Sequence, residues 1–176
     1  MRKTTKKLIY SAFFLSLAYV LPFVTGQVPT IGQMLCPMHI PVILCGFLCG
    51  GGWGLLVGLT SPVLRALTIG MPPLFPSAIA MALELSVYGL VCGLLYKRLP
   101  SRIYSVYISL LTSMVSGRLA WGAIMLVISQ IQKTEFSLKM FWTSVFLSSI
   151  PGIILQIVLI PVVVISLKRI TSQAEK

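Results

Sequence analysis

Acid is what this sequence lacks. Its 176 residues include no aspartate and no asparagine, three acidic residues in all, and a single histidine. Metal centres built from Asp and Asn oxygens are therefore excluded, and so are sites that need paired carboxylates or a histidine cluster. Charge of either sign is sparse. Charged residues make up 10% of the chain and hydrophobic residues 57%, at a mean hydropathy of +0.97. A soluble chain this short could not hide so much apolar surface, because small domains keep a large share of their area in contact with solvent. Lipid must be the solvent. The chain reads as a single all-α domain over 1–176, a multi-pass protein of the cell membrane.

Cysteine offers no framework either. Cys36, Cys45, Cys49 and Cys92 form no C-x-x-C pair, and Cys45 and Cys49 stand one helical turn apart inside an apolar run. They read as small packing residues, neither metal ligands nor disulfide partners, and no cofactor or metal is expected.

The charge that is present is mostly basic, for a net +11. Most of it lies in three clusters: Arg2, Lys3, Lys6 and Lys7; Lys97, Arg98 and Arg102; Lys168, Arg169 and Lys176. Each flanks an apolar segment, as cytoplasmic loops do under the positive-inside rule. Nothing resembles a basic groove interleaved with aromatics, so nucleic acid is not an expected partner.

Six apolar segments can be counted, at approximately 8–24, 40–59, 62–71, 75–96, 104–130 and 140–167. A basic start before an apolar run also describes a secretory signal peptide, but the run 8–24 is long enough to span. With both termini cytoplasmic, six spans return the 97–102 cluster and the C-terminal cluster to the cytoplasm. Without the third segment the 97–102 cluster would lie outside. That third segment is short, at about half the ~30 Å hydrocarbon thickness. Either it extends back through Leu59-Thr60-Ser61, or it is a short helix followed by irregular backbone in GMPPLFPS. Irregular backbone at membrane depth must be covered by protein or line a cavity. The proline-rich segment is expected to form a rigid loop over a pocket open to the outside.

The stretch PMHIPVILCGFLCGGGWGLLVG raises two further points. Gly46, Gly50, Gly54 and Gly58 recur every fourth residue, which on one helix would make a smooth ridge. Such a ridge serves close packing inside the bundle or a docking surface for another membrane subunit. His39 stands at the mouth of the stretch between two prolines, as an interfacial residue or as a site residue with a fixed direction.

Three ionisable residues fall inside apolar runs: Arg65, Glu84 and Arg118. Each costs a few kcal/mol or more at mid-bilayer unless it is paired or hydrated, which makes it a functional candidate by default. Two positive charges against one negative leave a cation unmatched, and a small anion bearing a carboxylate would neutralise it. Tyr88 shares a helix face with Glu84, and Trp121 shares one with Arg118. The candidate substrate-binding set is therefore His39, Arg65, Glu84, Tyr88, Arg118 and Trp121.

Catalysis fits poorly. A serine hydrolase needs a base beside its nucleophile, yet beside Ser116-Gly117 none is expected, because the one histidine is placed at an outer helix end, near the surface. The chain has no G-x-x-x-x-G-K-[ST] motif with which to hydrolyse ATP, and no evident inverted repeat. A binder of substrate that borrows energy from partners fits best; a stand-alone carrier or channel is the alternative of another class.

The runs LCPMHIPVILCGFLCGGGWG, SPVLRALTIGMPP and AMALELSVYGLVCGLLYKRL occur in this order. In them the chain resembles the substrate-binding S components of energy-coupling factor (ECF) vitamin transporters, most of all the pantothenate subgroup. The resemblance implies a subunit that captures its vitamin from outside and then topples against a transmembrane coupling subunit driven by two ATPases. It also implies that a pair of small residues in the first helix touches the coupling subunit. Ala12 and Ser16 hold those places here, with serine where the family pattern has alanine. Other S-component substrates, such as pyridoxine, folate, riboflavin or a queuosine precursor, remain open alternatives.

Overall fold

The structure, a computed structural model, describes residues 3–24, 36–100, 102–132 and 150–174. These residues form six α-helices and no strand: α1 (Lys3–Val24), α2 (His39–Cys49), α3 (Gly51–Ile69), α4 (Ile79–Arg98), α5 (Ile103–Gln132) and α6 (Ile150–Ala174). All except α2 are long and apolar enough to cross a membrane. The eleven residues of α2 rise only about 16 Å. The short helix is thus the second and not the third, and segment 133–149, with the start of the sixth expected span, lies outside the described residues.

The difference comes from Gly50. Its φ of +100° lies where side chains are rarely accommodated, and it ends α2 and starts α3 in a single residue. The chain reverses there. Along α4, His39 lies beside Tyr88, Ile43 beside Cys92 and Phe47 beside Tyr96, so α2 runs parallel to α4. After the reversal Gly51 meets Gly93, Gly54 meets Gly89 and Gly58 meets Leu85, so α3 runs antiparallel to it. Helix α3 continues unbroken through Thr60, Ser61 and Pro62, the longer of the two expected forms of the third segment. Gly70, at φ +75°, then caps it by donating its N–H to the Ala66 carbonyl at 3.0 Å.

Between α3 and α4 the backbone is irregular, as the proline content requires. Leu74–Ala78 makes one wide turn, with Phe75 extended inside it, and both Met71–Pro72 and Phe75–Pro76 are cis. At its other end α4 stops after Lys97-Arg98, and α5 begins at Ile103.

Helix α4 is the centre of the bundle, enclosed by α2, α3 and α5, while α1 lies on α2 and α3 and α6 on α2 and α5. The core is built from the inner faces of these helices, with Ile43, Leu85, Tyr88, Leu110 and Ile160 essentially inaccessible. Ser11 of α1 touches Cys45, and Tyr19, two turns on, touches Thr68. Helix α1 therefore starts near the Gly50 reversal, and its basic N-terminal turns lie at the same end of the bundle as Lys97 and Arg98.

Candidate functional site

Four of the six expected site residues meet in the half of the bundle away from that basic end. His39 opens α2, Glu84 and Tyr88 lie one turn apart on α4, and Arg118 comes from α5. Arg118 Nη1 lies 3.2 Å from Glu84 Oε1, and His39 Nε2 approaches the same oxygen at 3.7 Å. The first is an ion pair; the second is too long for a hydrogen bond. The His39 ring meets the Tyr88 ring edge-on with centroids 5.1 Å apart. Glu84 is 2% exposed and His39 3%, so the pair is screened from water by its neighbours.

Two residues complete the site that the sequence did not single out. Cys36 accepts from Arg118 Nη2 through its sulfur at 3.8 Å. Its backbone is left-handed, with φ 46°, and its carbonyl accepts the His39 N–H at 3.0 Å as the chain turns into α2. Gly117 is the other. A Cβ there would stand 2.5 Å from the Tyr88 ring, so only glycine lets α5 come close enough for Arg118 to reach Glu84. A thiol in an apolar stretch carries no sequence signal, and a lone glycine beside an arginine carries little.

The hydrogen bonding of the cluster is half made. Among the described residues, both ring nitrogens of His39, Glu84 Oε1 and Arg118 Nε lack a hydrogen-bond partner although buried. In a native core such groups are few, and each calls for a ligand, an ion or water. The arrangement can receive a small polar molecule by hydrogen bonds to an imidazole, a carboxylate and a guanidinium against an aromatic wall.

Arg65 stands apart from the cluster. It donates from Nη1 to the Tyr19 carbonyl at 3.1 Å, and its guanidinium lies 4.9 Å from the centre of the Phe23 ring. With the Tyr19 hydroxyl donating to Thr68 at 3.1 Å, it ties the last turns of α1 to α3. The cation left over by the charge count is thus held by a carbonyl and a ring, while Arg118 is matched by Glu84. Trp121 is half-buried on α5, one turn beyond Arg118.

Three of the four glycines pack inside the bundle. Gly46 and Gly54 both press on the Gly89 backbone, with a Cβ at either falling 2.6 or 2.7 Å from its carbonyl oxygen, and Gly58 is buried against Leu85. Gly50 is the reversal itself. Their shared four-residue period does not put them on one helix face, because two helices carry them. Ala12 and Ser16, in contrast, are exposed on α1, and the Ser16 hydroxyl donates back to the Ala12 carbonyl at 3.0 Å. Its polarity is spent within the helix, so the serine leaves this face small and smooth.

Fold and site together define a multi-pass helical membrane protein with a buried polar site between α2, α4 and α5. A profile of the family "ECF transporter, substrate-specific component" matches residues 6–164, and the chain belongs to that family. Membership makes it a binder of a transport substrate and not an enzyme, acting with a coupling subunit and ATPases in the cell membrane. No curated protein and no solved structure matches the chain.

Proposed function

We propose that this chain captures a water-soluble vitamin, pantothenate, from outside the cell and delivers it by toppling against a coupling subunit driven by two ATPases. The observation that carries the reading is the Glu84–Arg118 pair with His39 and Tyr88, buried and incompletely hydrogen-bonded at one end of the bundle. The basic turns of α1 and α4 gather at the opposite end, which the positive-inside rule assigns to the cytoplasm. On the reading of six membrane segments with both termini inside, the site lies in the outer half of the bundle. Pantothenate offers a carboxylate for Arg118 and hydroxyl and amide groups for His39 and Glu84.

The matched charges of Glu84 and Arg118 favour a second reading. A site with no net charge also suits an uncharged vitamin such as pyridoxine or riboflavin. Binding of a vitamin panel to the purified chain decides between them: pantothenate is expected to compete against all others, and retention of pyridoxine or riboflavin alone would select the second reading. Co-purification with a coupling subunit and two ATPases is expected; transport by the chain alone would mark a stand-alone carrier.

A further inference from the structure

Arg118 resolves how a matched pair can still take an anion. Its guanidinium has two usable sides, and they are occupied unequally. Nη1 is committed to Glu84 Oε1 at 3.2 Å. Nη2 donates to the Cys36 sulfur at 3.8 Å, the guanidinium also interacts with the Tyr88 hydroxyl, and Nε has no hydrogen-bond partner among the described residues although it is buried. Sulfur is a weak acceptor and Nε is unpaired, so this side of the guanidinium keeps donor capacity for an anion. Nε and Nη2 also form the side-on edge of a guanidinium, whose two parallel N–H groups match the two oxygens of a carboxylate.

We infer that the substrate's carboxylate docks side-on against the Nε–Nη2 edge of Arg118, displacing the Cys36 thiol and leaving the Nη1–Glu84 pair intact. This rests on the capture reading above and adds the substrate class and the atoms that select it. Glu84 then acts as a positioning residue, since its attraction for Nη1 favours the orientation in which the guanidinium offers its other edge to the substrate. Cys36 is a placeholder that keeps the edge from being wholly unpaired in the empty site. Both oxygens of the incoming group gain charge-assisted hydrogen bonds, and no buried ion pair has to break first.

The test is binding to the purified full chain of two probes, pantothenate and its alcohol analogue with a hydroxymethyl group in place of the carboxylate. Arg118→Lys keeps the charge beside Glu84 but removes the fork. It is expected to lose at least a hundredfold in pantothenate affinity while binding the alcohol as weakly as the wild-type chain does. Cys36→Ala removes the competing acceptor and is expected to tighten pantothenate binding several-fold; equal or weaker affinity would count against displacement. Pantothenate binding unchanged in a folded Arg118→Lys variant would overturn the side-on edge and leave the capture function standing. Selective binding of a vitamin without a carboxylate would do the same. No vitamin bound by well-folded wild-type chain would remove both.

Discussion

A buried ion pair contributes more to where things sit than to how stable they are. Removing one partner leaves the other charge stranded in a low-dielectric interior, at a cost of about 3–5 kcal/mol, whereas replacing both with apolar side chains is often neutral. Arg118→Ala is therefore expected to lower the detergent-solubilised melting temperature sharply, and the double variant Glu84→Leu/Arg118→Met to recover most of the loss. A double variant no more stable than Arg118→Ala would mean that the pair is not what holds this region together. At this scale much was legible in the sequence, because a charge inside an apolar run is anomalous wherever it occurs. Glu84 and Arg118 stand out on that ground and lie side by side, with His39 and Tyr88 against them. Arg65 carries the same anomaly but finds a carbonyl and an aromatic ring, partners that no count of charges reveals.

Elements are set by glycine. The α2–α3 reversal and its seat on α4 bring backbone against backbone, which in lipid supplies the packing that hydrophobicity cannot. A methyl at Gly54 would stand 2.7 Å from the Gly89 carbonyl oxygen and 2.8 Å from Gly46 Cα, and neither side is a flexible side chain that can yield. Gly54→Ala is expected to destabilise by about 1–3 kcal/mol or more and to weaken substrate binding with it. Gly52 has open space around its Cβ position, so Gly52→Ala is expected to be neutral or to stabilise by up to about 1 kcal/mol. Equal melting temperatures for the two variants would contradict this packing. A four-residue glycine period implies a ridge only if one helix carries it. The signal against that was the run Gly50-Gly51-Gly52, a breaker within an otherwise helical pattern. Periodicity located the apolar segments; the positive φ at Gly50 decided where α2 ends and α3 begins.

On the scale of the whole molecule, binding and transport call on different surfaces. The polar cluster lies inside, between α2, α4 and α5, while Ala12 and Ser16 lie on the outer face of α1 among exposed Ile9, Phe13 and Val20. If α1 is the face that meets the coupling subunit, Ala12→Trp blocks close approach without touching the site. Uptake by cells expressing the full transporter is then expected to fall at least tenfold while the affinity of the purified chain stays within about twofold. Loss of both together would place Ala12 in the fold and not at the interface.

The central claim is that the buried cluster is the place where the substrate is held. Titration of radiolabelled pantothenate against the purified wild-type chain and against Glu84→Leu/Arg118→Met tests it most directly, since the double variant is expected to keep the fold. The account predicts saturable binding of one molecule per wild-type chain and at least a hundredfold loss in the double variant. Unchanged affinity in the double variant, or no binding to a well-folded wild-type chain, would contradict it.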